Sequence, residues 1–272
     1  MVKILFDFYL DASIHVAFAV LAFYHVTLLN FNIPETKNLN YVIFLSTVIT
    51  YNFIKYGSRA KSYVIVTVKY EKIIQGISFF AGIFLCYFLI GLSVINLIIL
   101  AFLALLCLLY ILPFSHKGKN LRSMFTLKVY LVALVWSVCT VIILFGDFWQ
   151  FLGVDVWLTF IQRFLFVLVL ILPFEIRDMQ IDTYYLRTIP IKIGVRNTKK
   201  LGYLFLFFMM VLELIKSEFY LNQFLILVFF LVFTALLLKF TRKNQSPYYT
   251  KFVVEGVPIL YWAVTAGLLR FF

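Results

Sequence analysis

Residues 73–114 read IIQGISFFAGIFLCYFLIGLSVINLIILAFLALLCLLYILPF, without one charged side chain. As a single helix this stretch would reach about 60 Å, twice the hydrocarbon core of a bilayer, which takes roughly twenty helical residues. It has to be two helices, and the segment IGLSVIN (90–96) is the place for a tight turn between them. The rest of the chain has the same character: 64% of residues are hydrophobic, 20% aromatic and only 13% charged. A soluble globule of that composition would be coated in apolar surface, so the chain reads as a polytopic membrane protein. Met1 to Phe8 leads into an apolar segment with no small-residue cleavage site, so the first helix is expected to be retained. Cys86, Cys107 and Cys139 all lie in apolar runs without metal-type spacing and read as small packing residues.

Cut to bilayer length, the apolar runs give spans at about 9–30, 40–56, 73–91, 94–113, 128–146, 155–174, 201–215, 222–239 and 254–271. The expectation is one all-α domain over residues 1–272 with nine transmembrane helices. With the N-terminus in the cytoplasm, 20 of the 24 Lys and Arg residues fall in cytoplasmic segments, leaving Lys37, Lys216 and Arg270 outside and Arg163 within the sixth span. That predicts an integral protein of the cell inner or plasma membrane with its C-terminus on the opposite face. The net charge of +12 is the ordinary signature of such loops and a lure for anionic lipid headgroups, which argues against nucleic acid as a partner.

The cytoplasmic side also carries an acidic stripe. In PFEIRDMQIDTYYLRTIPIKIG (173–194), Glu175, Asp178 and Asp182 stand at i, i+3 and i+7, on one face of a helix. Pro173 precedes the stripe, while Pro190 and Gly194 follow it, so a helix is expected to give way to a loop there. Crowded carboxylates repel unless something positive lies between them. Mg²⁺ shared with phosphate oxygens is one answer. A solvated helix end, its acids paired with Arg177, Arg187 or Lys192, is the other.

This segment resembles the second aspartate-rich motif of the UbiA superfamily of intramembrane prenyltransferases, D-x-x-D-x-x-x-D followed by Thr-(Leu/Ile)-Pro and Gly. Glu175, Asp178 and Asp182 stand for the acids, and Thr188, Ile189, Pro190 and Gly194 for the tail. The resemblance implies a UbiA-type bundle of nine helices and a Mg²⁺-dependent enzyme. Such an enzyme ionises a polyprenyl diphosphate and hands the allylic cation to a lipophilic acceptor, or cyclises it. Asp178 and Asp182 would be the catalytic metal ligands, supported by Glu175. At the family's first motif, N-D-x-x-D-x-x-x-D, this chain reads YNFIKYGSRAKS (51–62): Asn52 matches, but Phe53, Tyr56 and Ala60 replace the three acids.

Lys55 and Arg59, at i and i+4 in the same stretch, can grip diphosphate without a metal or can simply orient the span. Arg122 and Lys128 are further candidates for the phosphate surface, with the same topogenic alternative. Arg163 and Glu255, ionisable residues at membrane depth, are expected to border a cavity or to pair with each other. His15 and His25 are expected to pack between helices. The abundant Phe and Tyr suit either an isoprenoid tunnel with cation-stabilising faces or plain lipid contact. The rival to the enzyme is a non-catalytic relative that binds or moves an isoprenoid or lipid, having lost turnover with the first motif.

Overall fold

The computed structural model describes residues 2–57, 68–111, 127–179 and 188–268. It is all helix, with no strand among the described residues. A short helix α1 (Val2–Asp11) is followed by α2 (Ile14–Phe31), α3 (Lys37–Tyr56), α4 (Lys69–Leu89), α5 (Val94–Ile111) and α6 (Leu127–Thr140). A 3₁₀ turn, Ile142–Phe145, extends α6, and a second lies at Trp149–Phe151. Then come α7 (Val154–Asp178), α8 (Ile189–Leu214), α9 (Leu221–Phe240), a π-helical turn Tyr249–Val254 and α10 (Val257–Leu268).

Helix α2 is apolar around its whole circumference, and eleven of its residues are buried, which puts it at the centre of the bundle. It packs against α1, α3, α6 and α10. From there α6, α7, α8, α9 and α10 each touch the next, while α3 carries α4 on the other side. Ser13 and Asn32 bracket α2 in left-handed backbone conformations, φ 61 and φ 50. At its C-terminal end the amide of Ile33 donates to the carbonyl of Leu28 at 3.0 Å and that of Asn32 to Leu29 at 3.4 Å, the paired bonds of a Schellman motif around left-handed Asn32.

The turn expected in residues 73–114 is present: α4 stops at Leu89 and α5 starts at Val94, where Ser93 Oγ accepts the Asn96 amide at 3.3 Å. The faces that α4 and α5 turn outward are those a lipid would wet, with Phe79 68%, Tyr87 70% and Ile98 64% exposed. Several hydroxyls inside the bundle are satisfied within their own helices: Thr47 bonds the Ile43 carbonyl at 2.7 Å, Ser137 that of Ala133 at 2.7 Å and Thr265 that of Tyr261 at 2.8 Å.

The expectation of nine transmembrane helices in a UbiA-type bundle is not met: six helices among the described residues are long and apolar enough to cross a membrane. They are Ile14–Phe31, Lys69–Leu89, Leu127–Phe145, Val154–Asp178, Leu221–Phe240 and Tyr249–Leu268. The shortfall has local causes. Helix α3 opens on the polar run KNLN and closes on Asn52, Lys55 and Tyr56. In α5 the apolar stretch, Val94–Tyr110, is short. The first half of α8 carries Lys192, Arg196, Lys199 and Lys200, and its axis breaks at Gly194, where φ 78 and ψ 158 suit only glycine. The result remains an integral, multi-span helical membrane protein.

Candidate functional site: the polar end of the bundle

Contacts between successive helices define two ends of the bundle, one marked by Asp11 and the other by Asn30. The N-terminal ends of α4 and α6 and the C-terminal ends of α3 and α7 meet at the Asp11 end. Lys55, in the last turn of α3, donates from Nζ to the carbonyls of Leu10 (3.1 Å) and Asp11 (3.5 Å). A cation on the last carbonyls of α1 is a helix C-cap, favoured by the dipole. Tyr56 donates to the same Asp11 carbonyl at 3.1 Å. The Asp11 carboxylate in turn takes Lys251 at 3.2 Å and the Tyr70 hydroxyl at 3.3 Å.

The first two acids of the stripe, Glu175 and Asp178, occupy the end of α7, which continues through Pro173 to Asp178. Glu175 is buried, and its Oε1 lies 2.8 Å from Lys128 Nζ at the start of α6. Asp178 Oδ1 is held by Arg177 Nε at 2.7 Å, the pairing expected of a helix end. Arg177 also donates to Thr250 Oγ1 in the π-helical turn. Asp182, Arg59 and Arg122 lie outside the described residues. Asn52 is buried and donates to Ser78 Oγ at 2.9 Å, while its Oδ1 has no hydrogen-bond partner among the described residues.

Glu255, just after the π-helical turn, sits in the field of Lys55, Lys251 and Arg177. The charges of three cations from three helical segments thus act on this carboxylate, and one of them, Arg177, also pairs with Asp178. Lys251, Thr250 and Asp11 are not singled out by the sequence reading. The available signal was spacing: Asp7 and Asp11, and Lys251 and Glu255, are i, i+4 pairs. A π-helical turn, rare and frequent at functional sites, is what turns Thr250 and Lys251 toward this cluster.

His15 packs between helices, as expected, and its tautomer follows from its partners. Nε2 faces the Phe252 carbonyl at 3.0 Å, which can only accept, so Nε2 carries the proton and Nδ1 accepts from Tyr9 OH at 2.9 Å. The Tyr9 phenol is pushed up by burial and then by the charge of Glu255, so it stays a donor. Tyr248 is raised chiefly by its hydrogen bond to Asp7, 2.6 Å away. Arg163 and Glu255 do not share a cavity. Arg163 stands fourteen residues before Arg177 on α7, about 21 Å along the axis, and lines a pocket at the Asn30 end.

Between α2, α3, α4, α5 and α6 lies an apolar cavity of about 390 Å³, lined among others by Val20, Thr47, Leu100, Ala104 and Cys139. A second cavity of about 120 Å³ adjoins it and shares Thr50, Tyr51, Cys107 and Trp136 with it. Trp136 Nε1 donates to Tyr51 OH at 2.8 Å across the shared wall. The smaller cavity reaches Ile54 and Tyr110, within a turn of Asn52 and Lys55 on α3.

Mg²⁺ takes one or two carboxylates beside phosphate oxygens, and Glu175 and Asp178, at i and i+3 on α7, supply that number. Among the described residues no group of three or more His, Cys, Asp or Glu is placed to hold a metal ion, and both acids are engaged by a cation. A metal ion here would find at most these two carboxylates among the described residues, each first released from its cation, and would need its other donors from water or from a phosphate ligand. Comparison of the chain with protein-family models, with curated proteins and with solved structures gave no match.

Proposed function

We propose that this protein binds an isoprenoid diphosphate and transfers or cyclises its prenyl chain within the membrane, as the resemblance of residues 175–194 to a UbiA motif implies. The observation that carries the proposal is the pair of adjoining apolar cavities at Tyr51 and Trp136, read as one passage, the smaller of which reaches Ile54 beside Lys55 on α3. The passage holds the chain, and the cations neutralise the diphosphate. Glu175 and Asp178, with Asp182, would hold a Mg²⁺ ion, whose presence lowers the charge on the leaving group. The C1–O bond then breaks with its electron pair going to diphosphate, and a nucleophile of the acceptor captures the allylic cation and sheds a proton. Catalysis on this reading is positioning and electrostatic stabilisation. The polar end faces the cytoplasm, where soluble diphosphate leaves.

A second reading, a non-catalytic isoprenoid or lipid carrier, is favoured by one observation: Glu175 and Asp178 are each already paired, with Lys128 and Arg177. Purified protein incubated with Mg²⁺, isotope-labelled isoprenoid diphosphates and a membrane lipid extract separates the two. Labelled product and released diphosphate establish the enzyme. Saturable binding without product establishes the carrier, and neither outcome in a series of chain lengths overturns both.

A further inference from the structure

At the Asn30 end, away from the cluster just described, a cavity of about 30 Å³ is walled by α2, α7, α8, α9 and α10. Its polar lining includes Asn30, Thr159, Gln162, Arg163, Glu213 and Lys216. The charges are unequal. Glu213 Oε2 is 2.6 Å from Lys216 Nζ and also accepts from Gln162 Nε2 at 2.8 Å, so that carboxylate is matched by its own ammonium. Arg163, only 6% exposed, has no carboxylate within ion-pair distance among the described residues. Its Nη2 donates to Thr27 Oγ1 at 3.1 Å, and its guanidinium lies 3.9 Å over the Phe23 ring. Its Nη1 is buried with no hydrogen-bond partner, and the Oγ1 of Thr159, one helical turn earlier, is likewise buried and unpartnered.

A guanidinium sealed at membrane depth with one net positive charge is costly, and an aromatic face offsets only part of that cost. We propose that this cavity is a binding site for one small monovalent anion of halide size, with Arg163 and the Thr159 hydroxyl as its donors. The volume admits a particle about the size of water and excludes phosphate, sulfate or a substrate carboxylate with its attached chain. A water molecule would meet the hydrogen bonds but leave the charge unbalanced. Lys216, Gln223 and Asn30, at the helix ends, form the side from which the anion enters. The α8–α9 turn above them is fixed by Asp155, whose carboxylate accepts the amides of Ser217 at 2.9 Å and Glu218 at 3.2 Å.

The test is the thermal midpoint of the purified protein in detergent, titrated with sodium chloride or bromide against sodium gluconate at constant ionic strength. Saturable stabilisation by the halides is expected, on the order of 3 °C per tenfold rise above the dissociation constant, with none from gluconate. Thr159→Val, which keeps the guanidinium, should shift the halide dependence to higher concentration, and Arg163→Met should abolish it. Should Arg163→Met fail to fold, broadening of the ³⁵Cl resonance by wild type, and its reduction by Thr159→Val, gives the same answer. Equal midpoints in chloride and gluconate for wild type, or undiminished halide dependence in Thr159→Val, would overturn the site in favour of water.

Discussion

Lys128 Nζ lies 2.8 Å from Glu175 Oε1, tying the first turn of α6 to the end of α7. The sequence put these two residues in separate roles, one on a phosphate surface and the other at a metal. Their meeting makes the polar end partly self-neutralised before any ligand arrives, so on the proposed reading a diphosphate with its metal would have to exchange partners with the protein. Lys128 can turn to phosphate as Glu175 turns to the metal.

That exchange predicts opposite consequences for stability and binding. Removing either partner leaves a poorly solvated charge, so Glu175→Leu and Lys128→Met should each cost roughly 2 kcal/mol, while the two combined should recover most of it. Denaturation of the four proteins in the same detergent gives the coupling directly. Simple additivity would mean that the pair contributes nothing.

Asp178→Asn is the sharpest probe of the metal. It keeps the shape and one carbonyl oxygen but removes the charge that attracts a hard cation. Wild type should be stabilised by Mg²⁺ together with geranylgeranyl diphosphate, and Asp178→Asn should lose that gain. Without ligand the variant should be slightly less stable, because Arg177 loses its 2.7 Å partner. If the full ligand-dependent shift survives the substitution, Asp178 is a structural partner of Arg177 and nothing more.

Lys55 has a structural duty that complicates its assignment to phosphate. Because it caps α1, Lys55→Ala should loosen that helix by about 1 kcal/mol, seen as faster amide hydrogen exchange in residues 5–11. Lys55→Arg can keep the cap. If Lys55→Arg restores slow exchange and also diphosphate affinity, one cation serves both. Rescue of exchange alone confines Lys55 to the cap.

The apolar passage can be blocked without touching the charged end. Ala104→Phe places a ring into the cavity of about 390 Å³, where there is room for it, so the midpoint should move by only a few degrees. Affinity for a twenty-carbon diphosphate should fall about tenfold or more, and a five-carbon donor should be much less affected. Equal losses for long and short donors would place the chain elsewhere.

Much of the architecture is legible in single residues and short runs, and the failures are equally local. An uncharged run of double bilayer length has to turn, and it turns between Leu89 and Val94. Counting apolar runs overestimated the spans because it ignores what flanks them: the polar ends of α3, and the basic first half and Gly194 break of α8. At the site, spacing correctly set Glu175 and Asp178 on one helix and Arg177 beside them. It gave no hint that Lys128 reaches Glu175, nor that His15 meets the carbonyl of Phe252, 237 positions away. Long-range partners of that kind are chosen by packing, which local periodicity does not encode. The shared influence of Lys251, Arg177 and Lys55 on Glu255 was hidden for another reason: in the sequence they are indistinguishable from ordinary cations flanking a span.

Orientation decides whether the proposed site meets cytoplasmic substrates. Helix α10 runs parallel to α2, because His15 meets Phe252 and His25 meets Trp262 at the same spacing along both helices. The α9–α10 connection, with Arg242 and Lys243, therefore lies at the Asp11 end, and the α8–α9 turn at Glu218 lies at the Asn30 end. Lys55, Lys69, Lys128, Lys192 and Lys239 all mark the Asp11 end, whereas Lys216 is at the other. Positive residues accumulate on the cytoplasmic side, so the Asp11 end should face the cytoplasm. In a background with Cys86, Cys107 and Cys139 replaced by Ala, Lys243→Cys should react with an impermeant maleimide only after lysis. Glu218→Cys should react in intact cells. Both side chains are exposed, so lack of labelling reports sidedness rather than burial. The reverse pattern would put Lys55, Lys251 and Arg177 outside the cell, beyond the reach of a cytoplasmic isoprenoid diphosphate, and the proposed transfer would fall with it.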